Sequence, residues 1–376
     1  MLERCLSNQI EKLFFKGKAI LLIGARQVGK TTLINHILTN YSDRKLFING
    51  DEADSFFWAT EPTSSKLKSI IGDNKIVFID EAQRIQNIGL IIKIIVDTIP
   101  GIQVIASGSS AFEITNRTSE PLTGRKYEFH LYPLCFQEMV KETNLLEEIK
   151  MLNQRLVFGS YPEIVVKPQE MIKQLSTLAG SYLYKDLLGL DSIRKPEVLE
   201  KIIRALALQL GNEVNYHELS QLVGSDKQTI EKYIDLLEKT YVIFRLSAFN
   251  KNLRNELKKS RKIYFYDNGI RNAVIGNFSD INTRTDRGAL WENYLISERK
   301  KLLNYQNRFV QSYFWRTFQQ SEIDYVEEEN QKFSAYEIKW NPQVKWRIPK
   351  PFKESYNPKT MKVIHPQNYY EFLGIE

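Results

Sequence analysis

The first third of the chain alternates short β-branched, apolar runs with stretches of helical spacing. Residues 19–23, 45–49, 75–80 and 104–107 predict strands, and residues 31–38 and 90–98 predict helices between and after them. Such alternation predicts an α/β domain over residues 1–130, with a parallel sheet whose crossover helices cover both faces. Residues 131–195 are mostly helical in pattern and are broken by Gly159, Pro162 and Pro168, which suits a helical lid or linker. From Pro196, the positions Leu199, Ile202, Ile203, Leu206 and Leu210 mark one helical face. Residues 216–222 and 226–239 then read as two helices around Gly224, with strand-like runs at 241–246 and 262–266. That order predicts a winged helix over 196–270. The remainder, 284–376, reads as a small α/β unit of one helix (289–303) and three strands (309–318, 322–328 and 332–340).

Composition narrows the class. A chain of 376 residues with 43% apolar and 12% aromatic content is long enough for two or three cores and too apolar for a disordered coil. Its two cysteines, Cys5 and Cys135, have neither disulfide-scaffold nor zinc-ligand spacing, so a cytoplasmic protein is expected. The apolar run ending at Ile23 is cut off by Gly24 and Arg26, too short for a signal core or a membrane span, and no membrane partner is expected. The net charge of +7 is unevenly spread: residues 245–308 hold fourteen basic against six acidic residues. Such a stretch suits the phosphate backbone of double-stranded DNA, or a solvated basic surface.

The chemistry begins at the end of the first predicted strand. Gly24, Ala25, Arg26, Gln27, Val28, Gly29, Lys30 and Thr31 fit G-x-x-x-x-G-K-[ST] between a strand and a helix, and Thr32 follows in the first turn. Glycines at both ends let the loop curl until its amides face phosphate oxygens, and the helix N-terminus adds favourable charge. Lys30 is expected to reach the β and γ phosphates and Thr31 to offer its hydroxyl to Mg²⁺. The run Ile76, Val77, Phe78, Ile79, Asp80, Glu81 supplies the acidic pair such a site needs: Asp80 for the metal, Glu81 to activate the attacking water. No Asn-Lys-x-Asp guanine reader follows, so ATP is expected over GTP. After the strand at 103–107, Ser109 is expected to sense the γ-phosphate. Arg125, with Arg117 competing equally, is the candidate to reach a neighbouring subunit's γ-phosphate, which implies a homo-oligomer.

A second set lies near the C-terminus. Asp324 sits on one predicted strand and Glu337, with Lys339 two residues on, occupies the next, while Glu292 lies on the preceding helix. Period-two alternation puts Glu337 and Lys339 on one face, where Asp324 and Glu337 can hold Mg²⁺ or Mn²⁺ and Lys339 can assist an attacking water. The same pattern also arises from ordinary surface pairing on a half-exposed strand. The four histidines show no spacing that suggests ligands.

With GARQVGKTTL, VFIDEAQ, SGSS and LTGRKYEF in view, the first part of the chain resembles the AAA+-type ATPases of prokaryotes. RGALWENYLISE at 287–298, EIDYV at 322 and YEIKW at 336 resemble the restriction-endonuclease-like (PD-(D/E)XK-like) module found behind such ATPases and long labelled a domain of unknown function. The resemblance implies an ATP site at Lys30, Thr31, Asp80 and Glu81, a sensor at Ser109, and a nuclease-like core at Glu292, Asp324, Glu337 and Lys339. The expectation is an ATPase whose turnover is coupled to a winged helix and a nuclease-like module acting on DNA. The competing expectation is a nucleotide-driven switch or scaffold with an inert module.

Overall fold

An apolar strand in the middle of a parallel sheet must be buried on both faces, whereas an edge strand can alternate. In the computed structural model, which describes residues 2–52, 60–108, 122–182, 193, 195–249, 261–317, 319, 321–344 and 346–375, both behaviours occur in the first sheet. Its strands are β1 (Ala19–Gly24), β2 (Lys45–Asn49), β3 (Ile76–Asp80), β4 (Gln103–Gly108) and β5 (Lys126–Leu131), in the order β2-β3-β4-β1-β5 with every neighbouring pair parallel. The central strands β1 and β4 are buried at every position, and β3 at all but Asp80. The edge strand β5 buries only Phe129 and Leu131 and leaves Lys126, Tyr127, Glu128 and His130 half-buried, and for that reason it does not stand out in the hydropathy pattern.

The order matters for the site. β1, which leads into the phosphate loop, is not adjacent to β3, which carries the acidic pair; β4 lies between them. The end of β4 therefore falls between loop and acids. The helix Lys30–Leu38 follows the loop, and the helix Ile88–Thr98 precedes β4. The first contact unit comprises residues 1–133 with 239–241.

The second unit comprises residues 134–238 and 242–376. Its sheet has seven strands: β6 (Glu213–Val214), β7 (Ile243–Ala248), β8 (Arg261–Phe265), β9 (Gln311–Arg316), β10 (Glu322–Glu329), β11 (Lys332–Ile338) and β12 (Thr360–Ile364), in the order β12-β11-β10-β9-β7-β8-β6. The parallel pairing of Ser247 with Tyr313 and Ala248 with Phe314 joins β7 to β9. The strands expected to form a wing (β7, β8) and those expected to form a separate C-terminal unit thus share one sheet, and the boundary drawn between 270 and 284 does not divide it. The helical segments expected after residue 131 are present through Met171–Thr177, and the helix Pro196–Leu208 buries the face formed by Leu199, Ile202, Ile203 and Leu206. The helices Tyr216–Val223 and Lys227–Lys239 flank Gly224, whose φ of +70° closes the first of them.

The helix Arg287–Tyr305 carries buried residues around its whole circumference, polar ones included. Each is partnered. Asn293 accepts from Phe265 N at 2.7 Å and donates to Phe265 O at 3.0 Å, fastening the helix to the end of β8.

Candidate functional site

The phosphate loop is shaped by backbone constraints. A Cβ on Gly24 would stand 2.1 Å from the Leu131 carbonyl oxygen of β5, so the first glycine of the motif is dictated by a neighbouring strand as well as by the turn. Gln27 (φ 61°) and Gly29 (φ 92°) take left-handed conformations that curl the loop, and Gly29 caps the helix that begins at Lys30. The buried Arg4 guanidinium donates to Val28 O and to Tyr132 O, both at 2.6 Å, and so ties the loop to the chain leaving β5. Lys30 Nζ donates to Gly24 O at 3.0 Å and Ala25 O at 2.9 Å, arching over the loop it belongs to. Arg26 is half-buried and Thr32 exposed.

Across from the loop, the Asp80 carboxylate is held on both oxygens. Thr31 Oγ1 donates to Oδ2 at 2.7 Å; the Ser107 hydroxyl and Glu81 N (3.1 Å) donate to Oδ1. Thr31 and Asp80 meet as a pair of hard oxygen donors at the mouth of the loop, a donor set that fits Mg²⁺. Glu81 has a left-handed backbone (φ 48°) and its carboxylate accepts from the Gln83 side-chain amide. Ser109 and Arg117 lie outside the described residues. Ser107, two residues earlier and near the end of β4, is a small polar group that meets Asp80; lying inside an apolar strand, it carries no local signal of a site. Arg125 Nε donates to Asp97 Oδ1 at 2.7 Å. It immediately precedes β5, beside Ala19 at the start of β1 and so at the end of the sheet away from the loop, and it takes no part in this chain's own phosphate site.

The C-terminal set also converges. Asp324 and Glu337 are each 7% exposed. Ile338 N donates to Asp324 Oδ2 at 2.8 Å, and Lys339 Nζ lies 2.7 Å from Glu337 Oε1 and 3.5 Å from Asp324 Oδ2. Glu337 Oε2 is buried without a hydrogen-bond partner among the described residues. Burial, followed by the nearby Asp324 charge, pushes the Glu337 carboxyl up to about 7 against the pull of Lys339. Glu292 joins from the helix, but its Oε1 already accepts from Tyr264 Oη at 2.6 Å and Lys262 Nζ at 3.2 Å, both on β8. Burial and Asp324 raise its carboxyl while Lys262 and Tyr264 oppose them. Lys262 also pairs with Glu322 Oε1 at 2.6 Å. Two carboxylates sharing one lysine, one with a bare buried oxygen, fit a divalent cation. The sequence reading missed Lys262 and Tyr264; their period-two spacing on a strand was visible, but nothing local points to the carboxylates they meet.

Residues 16–140 match a family model described as an AAA domain, residues 149–281 one described as a domain of unknown function (DUF8612), and residues 287–372 another domain of unknown function (DUF4143). Among similar curated proteins, uncharacterized protein MJ1544 of Methanocaldococcus jannaschii is 24% identical over 320 residues, spanning 79% of this chain and 70% of the relative. Uncharacterized protein Rv2008c of Mycobacterium tuberculosis is 23% identical over 335 residues, spanning 88% and 72%. Among solved structures, a Thermotoga maritima RuvB mutant aligns over 65% of this chain and 89% of its own at 16% identity and a TM-score of 0.35, and Pif1 helicase from Candida albicans over 48% of each at 13% and 0.29. Scores this low carry no functional weight. The family match and the loop geometry together make the amino-terminal part an AAA-type P-loop domain with a parallel sheet. No helix among the described residues is long and apolar enough to cross a membrane.

Proposed function

We propose that the chain binds Mg²⁺-ATP in the loop formed by residues 24–32 and hydrolyses it. The observation that carries this reading is the meeting of Thr31, Asp80 and Ser107, which brings phosphate loop, acidic strand and intervening strand to one point. The metal, when bound, supplies charge to the phosphate oxygens. Lys30 leaves the Gly24 and Ala25 carbonyls for the β and γ phosphates, Thr31 and Asp80 hold the metal, and Glu81 orients and deprotonates the water for in-line attack. Replacing Lys30 with Ala abolishes turnover under this reading, and Glu81→Gln retains nucleotide while losing hydrolysis; a Lys30→Ala chain that hydrolyses ATP normally removes it.

The reading extends to the second unit: a winged helix at 216–239 with β7 and β8, and a nuclease-like centre at Asp324, Glu337 and Lys339 that cleaves DNA with Mg²⁺ or Mn²⁺. The bare oxygen of Glu337 supports the centre. Asp324→Ala or Lys339→Ala abolishes metal-dependent cleavage and spares ATP turnover; cleavage that survives both rejects it. A switch with an inert module is the second reading. It is favoured by the way basic groups near the expected DNA face are spent on acids, Arg245 on Asp235 and Glu238, and Lys227 on Glu231. It predicts no cleavage of any nucleic acid and an ATP-dependent change of oligomeric state.

A further inference from the structure

Lys262 has no part in the reading just given. It lies on β8, in the segment before the helix Arg287–Tyr305, and is 4% exposed. Its ammonium meets Glu292 Oε1 at 3.2 Å and Glu322 Oε1 at 2.6 Å, over the Phe314 ring at 5.4 Å. Tyr264, on the same face of β8, donates to the same oxygen of Glu292. The second oxygen of Glu322 faces Arg316 Nε at 3.8 Å. The two halves of the cluster therefore differ. Glu292 and Glu322 share the buried Lys262, with Tyr264 and Arg316 beside them, whereas Asp324 and Glu337 share the half-exposed Lys339 and Glu337 Oε2 has no hydrogen-bond partner among the described residues.

Phosphoryl-transfer centres that use two metal ions place them about 4 Å apart between carboxylates. Ammonium groups lie on both sides, but Lys262 is buried between Glu292 and Glu322, where a second divalent ion would have to displace or face it, whereas the half-exposed Lys339 leaves one oxygen of Glu337 to a first. We propose that Lys262 is a built-in cation standing in for a second metal, so that the cluster takes one divalent ion, on Asp324 and Glu337, while Glu292 positions Lys262 and is not a metal ligand. The proposal rests on the metal-site reading and adds its stoichiometry and the donor that sets it. It also makes the site a product of the whole second unit, because Lys262 and Tyr264 come from the segment matching the 149–281 family and the carboxylates from the one matching 287–372.

The test is a Mn²⁺ titration of the nucleotide-free full chain, followed by calorimetry and by the electron paramagnetic resonance of free Mn²⁺. The wild type is expected to bind one ion that Asp324→Asn removes. Glu292→Gln keeps that ion with its affinity altered less than threefold, and Lys262→Met admits a second. Two Asp324-dependent ions in the wild type, a loss of tenfold or more in Glu292→Gln, or a folded Lys262→Met chain that still takes one ion overturns the proposal and leaves the metal site standing. Absence of any Asp324-dependent ion overturns both. If Lys262→Met does not fold, the wild-type count and Glu292→Gln still decide.

Discussion

In the first unit, consecutive residues from Gly24 to Thr31 carry most of the site, and what holds them is backbone: left-handed residues at Gln27 and Gly29, a glycine pressed against β5, and carbonyls that seat Lys30. In the second, Lys262, Glu292, Glu322, Asp324, Glu337 and Lys339 come from three strands and a helix, and what holds them is charge against charge in a buried place. A site built from chain conformation stands ready for an anion because its amides are fixed dipoles. A site built from buried ion pairs depends on all its members, since removing one partner leaves another charge uncompensated.

The nucleotide loop should respond most strongly to a single change. Lys30→Ala should lower ATP turnover by about 10²–10³-fold or more, the cost of losing one donor to the transferred group, with the second unit's metal binding unchanged. Asp324→Ala should come next, reducing metal-dependent cleavage by at least about 10²-fold while ATP turnover stays within about twofold; an equal fall in both activities would erase the division between the two sites. A backbone-built site should then be sensitive to a single methyl. Gly24→Ala puts a Cβ against the Leu131 carbonyl and should cost about 1–3 kcal/mol in thermal or denaturant unfolding. Gly288→Ala, in the helix Arg287–Tyr305 with open space at its Cβ, should be neutral or stabilising by up to about 1 kcal/mol.

The smallest effect probes the charge-built region through pH. Burial alone would raise the Asp286 carboxyl, but hydrogen bonds from Arg284 and Arg271 outweigh it and hold it at about 2. A depressed carboxyl contributes stability that is complete above the ordinary carboxylate range and is lost as pH falls from about 4 through about 2. Asp286→Asn should therefore lower the melting temperature at pH 7, and the gap to wild type should narrow at pH 2.5; a gap independent of pH would show that the pair contributes through shape alone.

What could be read from the sequence follows the same division. The loop and the acidic strand are contiguous, so Gly24, Lys30, Thr31, Asp80 and Glu81 could be placed from spacing alone, as could the buried face of Pro196–Leu208. β5 and β12 do not stand out in the sequence because both are sheet-edge strands, mostly half-buried or exposed, that lack a long apolar run. Ser107 does not stand out as a polar contact of Asp80 because it lies inside an apolar strand: β4 continues to Gly108. Asp324, Glu337 and Lys339, which the structure brings together, can be grouped from the sequence because two hairpin strands keep them close along the chain. Lys262 was not, because the pairing of β7 with β9 that brings β8 into the same sheet is non-local, and no local pattern encodes it.

Isothermal titration of the full chain with Mg²⁺-ATP decides whether the loop is a nucleotide site. One nucleotide per chain should bind saturably, and Lys30→Ala should eliminate that binding; a folded wild-type chain that takes up no nucleotide refutes the proposal.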